Sequence, residues 1–311
     1  MSKCMDTGKP LISILMAIYK PNMGWLKEQL QSLNAQTYPN LRLYIRDDCS
    51  ETVVYEEISA VIEKCITKFP YSFKRNEQNL GSNKTFERLT SEAEGEYFAY
   101  CDQDDVWERD KLEKLLKHMI NAGVTMAYSD MSVIDDMGKQ IAVSLRDVRR
   151  RLHYVSGIGL AETYFFRNCT AGCSMLILAA IAKSAMPFPN GTVCDHWLAI
   201  VSAAQGAVEF VPESLLQYRQ HSSNQTGILR FVTDKPSYRK QRLEPMIERL
   251  NAYKRIAVPS EELQMFLYAR LEGKILGMWK YRNFSPIDAK FEIAMRFMPE
   301  WLVRIFLRRI R

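Results

Sequence analysis

Glu96-Tyr97-Phe98-Ala99-Tyr100-Cys101-Asp102-Gln103-Asp104-Asp105-Val106-Trp107 is the stretch on which the fold turns. It opens as a short apolar run of the β type and closes on three carboxylates within four residues. In an open parallel α/β sheet, ligands bind beyond the carboxyl ends of the strands. Carboxylates this close repel one another, and a divalent cation offsets them; oxygen donors on a short turn suit Mg2+ or Mn2+. Such a cation also bridges a diphosphate and neutralises charge on a departing nucleotide. Acids after a strand also cap helices, but three carboxylates in Asp102–Asp105 exceed what capping needs.

Outward from this stretch the same alternation repeats. Residues 11–17 read as a strand and 23–35 as a helix, with Leu26, Leu30 and Leu33 on one face. A second strand, 41–45, ends in Asp47-Asp48-Cys49-Ser50, acids that read equally as helix capping or as part of a site. Helices over 53–68, 83–93 and 110–122 and strands over 71–75 and 125–129 follow. Strands alternating with helices imply a mostly parallel α/β sheet with right-handed crossovers. The sheet is expected to continue through 173–178, 207–210 and the segment around 215–218, with a basic, mobile loop over 143–158. After Gly227 the composition turns to Arg/Lys-rich helical patterns over 240–256, 261–280 and 286–311.

A chain of 311 residues with 47% hydrophobic side chains can bury a large core, and nothing in it suggests disorder. The net charge of +6 is concentrated in 146–151 and 296–311. That placement suits an anionic surface or acidic substrate and argues against a sequence-specific nucleic-acid reader. Seven cysteines without CxxC spacing make neither a disulfide framework nor a zinc knuckle, which predicts reduced thiols in a cytosolic protein. Residues 1–10 are polar and lack the apolar core of a signal peptide. The most apolar stretch, 171–186, contains Lys183 and falls short of the roughly 20 residues a spanning helix needs.

Two later residues stand out. Asp195, in Val193-Cys194-Asp195-His196-Trp197, precedes an apolar helical stretch and reads either as a cap or as a general base for an acceptor hydroxyl. His221 follows a strand in Tyr218-Arg219-Gln220-His221, where it is either an ordinary surface or core histidine or a ligand for a cation or phosphate.

Taken in order, these residues resemble the family 2 glycosyltransferases of the GT-A fold, in the bacterial polysaccharide branch that includes rhamnosyltransferase-like members. The resemblance is carried by Ile12-Ser13-Ile14-Leu15-Met16-Ala17-Ile18-Tyr19, Gln29, Ser32-Leu33, Gln36-Thr37-Tyr38-Pro39, Ile45-Arg46-Asp47-Asp48-Cys49-Ser50 and Asn79-Leu80-Gly81. Gly95-Glu96-Tyr97, Asp102–Trp107, Asn168–Met175, Asp195-His196-Trp197 and Tyr218–Asn224 extend it to cover about 11–227.

The resemblance implies a Rossmann-like, mostly parallel mixed sheet flanked by helices, with a C-terminal helical extension. Residues 1–227 would form the catalytic domain, with a nucleotide-binding half to about 110 and an acceptor half over 111–227; 228–311 would form the extension. Tyr19 would pack near the nucleobase and Asp48 would hydrogen-bond it. Asp102 and Asp104 resemble the DxD motif, Asp102 towards the ribose and metal and Asp104 as the principal ligand of Mn2+ or Mg2+. Asp195 matches the catalytic base, and His221 a late histidine that completes the metal or phosphate site. Cys49 stands where glycine is commoner, and Cys194 where an acid often precedes the base. The implied reaction moves a sugar, with inversion, from a nucleoside-diphosphate sugar (dTDP-rhamnose or a UDP-sugar) to a glycan or lipid-linked acceptor.

The tail, 291–311, carries Ile293, Phe297, Trp301, Ile305 and Leu307, read as one apolar side, with Arg304, Arg308, Arg309 and Arg311 beside it. Such a helix reads either as interfacial on the inner face of the cell membrane or as packed on the protein with a solvated basic face. Other classes fit less well. A nucleotidyltransferase would present a Gly-rich phosphate loop where Ile18-Tyr19-Lys20-Pro21-Asn22 stands, and Gly157-Ile158-Gly159-Leu160-Ala161-Glu162 lacks the third glycine of a dinucleotide site. A non-catalytic membrane-docking protein on the same fold would not be expected to keep Asp48, Asp102, Asp104 and Asp195 together.

Overall fold

The sheet begins with Ile12–Ile18 (β1), whose apolar side chains are buried on both faces, as a strand covered by helices on two sides must be. A computed structural model describes residues 8–221 and 232–310 of the chain. β1 lies parallel between Leu41–Asp47 (β2) and Tyr97–Cys101 (β4), with Ile18 opposite Asp47 and Met16 opposite Cys101. Tyr71–Arg75 (β3) extends β2 in parallel. Val106–Trp107 (β5), Met126–Ile134 (β6), Gln140–Ala142 (β7), Met175–Leu178 (β8) and Val208–Arg219 (β9) complete the order β3-β2-β1-β4-β8-β6-β9-β5, with β7 paired to β6.

β8 is antiparallel to both β4 and β6, and β9 is parallel to β6. The two reversals cancel, so β1, β2, β4 and β9 all point the same way. Tyr19, Asp48, Asp102 and His221 therefore follow strand ends on one rim of the sheet, which is where such sheets bind ligands.

Helices cover the sheet: Met23–Asn34 (α1), Thr52–Cys65 (α2), Ser82–Glu92 (α3), Lys111–Ala122 (α4) and Leu145–Val148 (α5), and, after the separate short helix Ala161–Phe166 (α6), Ala179–Ser184 (α7) and Cys194–Gln205 (α8). In α1 the Asn22 side chain accepts from the Gly24 and Trp25 N–H groups, satisfying the first turn. α4 buries Leu112, Leu115, Leu116 and Met119 at helical spacing, and its end is set by Gly123 at φ 63°.

Three local expectations differ from the structure. The segment 143–158 contains α5, closed by a Ser144–Asp147 capping box, and Asp130 accepts bonds from Ser144 Oγ, Leu145 N and Tyr154 Oη. The strands expected at 207–210 and 215–218 are one strand, β9, which runs through Pro212 where its register against β6 is irregular, a place that tolerates the missing N–H. The late helical patterns are subdivided. Lys235–Tyr238 (α9) and a π-turn, Arg239–Leu243, precede Pro245–Tyr253 (α10). Gly273 at φ 66° separates Glu261–Glu272 (α11) from Ile275–Lys280 (α12). Extended Met298 before Pro299 separates Pro286–Phe297 (α13) from Glu300–Ile310 (α14).

The described residues divide into two compact units. The first, 8–160, 169–188 and 194–221, holds the whole sheet. The second gathers 161–168, 189–193 and 232–310. Its core includes Val232, Tyr238, Leu243, Met295, Val303 and Leu307. Within it Arg270, fully buried, meets both Glu292 oxygens at 3.0–3.1 Å through Nε, and Tyr238 Oη donates to the same carboxylate at 2.7 Å.

α14 corrects the expectation of a single apolar side. Val303 and Leu307, one turn apart, are buried in the unit's core, whereas Trp301 and Ile305, also one turn apart, are exposed. The helix thus carries two apolar faces, one packed and one open to solvent. Among the described residues, no helix is long and apolar enough to cross a membrane.

Candidate active site

The rim is built from backbone turns that aim polar atoms beyond the strand ends. After β2, Asp48 N–H donates to Ile18 O at 2.7 Å, locking the two strand ends together. The Asp48 carboxylate is almost fully buried and organises the turn that precedes α3. Oδ1 accepts from Asn76 Nδ2 and Leu80 N, and Oδ2 from Gly81 N, each at 2.8 Å. Three of about four lone-pair sites are thereby used. Its neighbour Asp47 is fully buried. One oxygen accepts from Ser50 N at 2.9 Å and lies 3.5 Å from Arg75 Nε, while the other has no hydrogen-bond partner among the described residues. Cys49, at φ 65°, occupies the left-handed conformation that glycine adopts without strain.

Tyr19 is exposed after β1 and is tied to the acidic loop by its backbone. Its N–H donates to Gln103 Oε1 at 2.9 Å, and its carbonyl accepts from Gln103 Nε2 at 3.3 Å. The second residue of the Asp102–Asp105 loop therefore fixes the first strand's exit, a role that the sequence reading did not assign to Gln103.

Asp104 and His221 meet directly: His221 Nε2 lies 2.9 Å from Asp104 Oδ2. Arg219, 1% exposed at the end of β9, holds the loop beneath them. Its N–H donates to Asp105 Oδ1 at 3.0 Å, and its guanidinium donates to the carbonyls of Asp104 (2.9 Å) and Asp135 (3.2 Å) and to Glu28. Trp25 covers this end, 4.7 Å from the His221 ring and 5.4 Å from the Arg219 guanidinium.

Asp102 is half-buried, and a carboxylate oxygen of it, one of Asp105 and the Cys173 sulfur lie within 4.8 Å of one another. Burial and then the charges of Asp105, Asp104 and Asp195 push the Asp102 carboxyl well above its usual range. Burial and Asp104 likewise raise Asp105 to about 7. Lys111, fully buried on α4, answers this charge. Its ammonium sits 3.1 Å from the Trp107 ring centre and donates to the Cys173 carbonyl, and burial lowers its pKa to about 7 despite the acids nearby. Burial raises the thiols of Cys101, Cys173 and Cys194 above their ordinary value, so none is a ready nucleophile.

Asp195 lies in the first turn of α8. Oδ1 accepts from His196 N at 2.5 Å and Oδ2 from Gly172 N at 3.3 Å. Gly172 stands between the Asp195 and Tyr100 side chains: a Cβ there would sit 3.6 Å and 3.7 Å from theirs. Asp195 is also close enough to Asp102 for its charge to raise that carboxyl. Asp102, Asp104, Asp195 and His221 therefore form one electrostatic neighbourhood, while the Asp48 carboxylate is engaged by residues 76–81. A site with this much concentrated carboxylate, part of it costly to ionise, fits a divalent cation held by oxygen and imidazole donors.

Comparison with known proteins bears on this geometry. The family described as Glycosyl transferase family 2 matches residues 13–183, over half of the chain and including β1, β2 and the acidic loop. The chain belongs to glycosyl transferase family 2. A putative teichuronic acid biosynthesis glycosyltransferase, TuaG, of Bacillus subtilis is 28% identical over 226 residues, 71% of this chain and 84% of that protein. An uncharacterised glycosyltransferase of Methanocaldococcus jannaschii is 27% identical over 220 residues, 69% and 72% of the two chains.

Solved structures share the fold at lower identity. S. aureus TarS 1–349 matches with a TM-score of 0.57 and 15% identity over 90% of this chain and 82% of its own. The mannosyltransferase PcManGT from Pyrobaculum calidifontis, in complex with GDP-Man and Mn2+, gives 0.57 and 15% over 98% and 86%. The sheet order and flanking helices are those of a GT-A family 2 transferase.

Proposed function

We propose that the protein transfers a sugar, with inversion, from a nucleoside-diphosphate sugar to a glycan or lipid-linked acceptor in cell-surface polysaccharide synthesis. The donor is dTDP-rhamnose or a UDP-sugar. The observation that carries this reading is the meeting of Asp104 with His221 beside Asp102, within electrostatic reach of Asp195, on the ligand-binding rim of a family 2 fold. TarS has also been crystallised with UDP-GlcNAc and PcManGT with GDP-Man and Mn2+, ligands of the class proposed here.

Asp104 and His221 would hold Mn2+ or Mg2+, with Asp102 towards the ribose. When bound, the cation supplies electrostatic stabilisation of the departing diphosphate. The protein's own groups do the rest. Tyr19 lies against the nucleobase, and Asp48 keeps one lone-pair site for a base N–H beyond the three bonds it already accepts. Asp195 takes the proton of the acceptor hydroxyl as the new bond to the anomeric carbon forms and the bond to the diphosphate oxygen breaks. This direct displacement differs from glycoside hydrolysis, which protonates its leaving group from a second carboxyl.

A lipid-linked acceptor calls for peripheral attachment to the inner face of the cell membrane. Trp301, Ile305 and Phe306 are exposed on α14 near Arg304 and Arg308, the pairing expected of an interfacial helix. A panel of nucleotide-sugars with Mn2+ or Mg2+ tests the transfer reading. Metal-dependent nucleoside diphosphate release from one donor, abolished in Asp104→Ala and lost in Asp195→Asn with nucleotide binding kept, is the expected result. No metal-dependent binding of any nucleotide would sink it.

A further inference from the structure

Outside the acidic rim, the helical unit carries a second built feature. Gly273, in the left-handed conformation, turns α11 back on α12, and the two helices come so close that a Cβ on Gly277 would lie 2.7 Å from that of Ala269. The corner forms an open cleft of about 490 Å3, lined on its apolar side by Met265, Tyr268, Ile275 and Leu276. That volume lies in the range of small-ligand sites, roughly 300–1,000 Å3. Two cations complete the lining. Lys274 Nζ donates to Tyr268 Oη at 2.9 Å, and the Arg296 guanidinium lies against Gly273, where even a Cβ would collide with it. Neither Lys274 nor Arg296 forms an ion pair among the described residues.

We propose that this corner seats one anionic phospholipid of a bilayer, its phosphate between Lys274 and Arg296 and an acyl chain against Met265, Ile275 and Leu276. The proposal rests on the membrane reading above and deepens it by naming the lipid chemistry and where it is held.

Three observations select this occupant. Leu276 is 86% exposed, and Trp279 and Tyr268 about half exposed, so the corner shows apolar and aromatic surface that water leaves uncovered. Trp and Tyr beside cations are the pattern of a side chain set at headgroup level. The charge is also segregated: residues 232–311 hold 17 Lys and Arg against 9 Asp and Glu, an excess of +8 in a chain whose total is +6. A free phosphate ion would use the two cations but leave the apolar lining without purpose. An acidic peptide would need cations spread along a groove rather than two at one cavity.

Flotation of the full chain with phosphatidylcholine vesicles, with and without about one-third phosphatidylglycerol, tests this. Wild type is expected to float at least about tenfold better with the anionic lipid. Leu276→Asp, and separately Lys274→Glu with Arg296→Glu, should each cut binding about tenfold, while Lys240→Glu with Lys254→Glu, the same charge change elsewhere, costs less than about threefold. Leu276 is so exposed that its replacement disturbs no packing, and an unchanged circular dichroism melt confirms it.

Flotation of Leu276→Asp at the wild-type level would overturn the proposal. Equal losses in the charge control would also overturn it. If wild type binds anionic vesicles and the corner variants do too, this site falls and the membrane reading stands. If wild type binds no vesicle, both fall, and the donor panel remains the separate test of transfer.

Discussion

Lys111 shows how the site balances charge at the level of one side chain. Burial makes its ammonium costly, lowering its pKa to about 7, and the carboxylates of Asp105 and Asp102 offset that cost only in part. Asp102 is itself pushed up by burial and by Asp105, and Asp105 by burial and by Asp104, while at Asp105 Lys111 is one of the groups that pull the value back down. Replacing it by Met removes that pull, so a proton should hold Asp105 to higher pH and compete longer with a cation. Lys111→Met is therefore expected to move the acid limb of turnover to higher pH and to weaken Mn2+ binding more at pH 6.5 than at pH 8, as metal titrations at both values would show. An unmoved acid limb would mean that Lys111 only fills space. Cys49 makes a simpler case. A non-glycine residue in the left-handed region costs about 1 kcal/mol, partly offset in a Gly variant by unfolded-chain entropy. Cys49→Gly should stabilise the fold by about 0.5 kcal/mol in urea unfolding with nucleotide binding intact.

Single elements explain both what the sequence discloses and what it conceals. The strand-to-acid boundaries at Asp47 and Asp102 are legible because they are local: an apolar run stops and carboxylates begin. Asp104 and His221 are legible as candidates, but their 2.9 Å contact depends on β9 lying parallel to β6 beyond the antiparallel β8, a pairing set by residues far apart in sequence. Lys111 could not be picked out, because a lysine opening an amphipathic helix reads as solvated until Trp107 and the Cys173 carbonyl close over it. Arg219 reads only as a neighbour of His221, yet it joins β9 to Asp104, Asp105, Asp135 and Glu28 at once. Lysine cannot reproduce that planar fork of donors. Arg219→Lys should lower Mn2+-dependent nucleotide affinity by about tenfold or more while retaining the circular dichroism spectrum. Wild-type affinity in that variant would show that the acidic loop is held by other contacts.

At the scale of the whole molecule, negative and positive charge are concentrated in different units. The sheet-bearing unit carries the acids of the rim, and the helical unit carries the excess of positive charge and most of the exposed aromatics among the described residues. The basic composition of the tail was legible. The two apolar faces of α14 were not, since the sequence shows which residues are apolar but not which face finds a partner. What orders the helical unit is a buried polar knot rather than apolar packing alone. Arg270 and Glu292, both nearly inaccessible, are paired, with Tyr238 donating to Glu292 and Asp288 lying 3.6 Å from Arg270. The hydrogen bonds and charge of Glu292 hold Arg270 firmly protonated despite the opposing effect of burial. Taking away one partner strands the other charge, at a cost of about 3–5 kcal/mol, whereas replacing both by apolar groups is often neutral. Glu292→Ala should therefore destabilise strongly, and Arg270→Met with Glu292→Leu should recover most of the loss. The loss belongs to the unit that holds the knot, so in Glu292→Ala hydrogen exchange should quicken across α10–α14 and leave the β1, β2 and β4 amides protected. Equal loss of protection in the sheet would show that the two units unfold as one, and that the segregation of charge between them is not a division of stability.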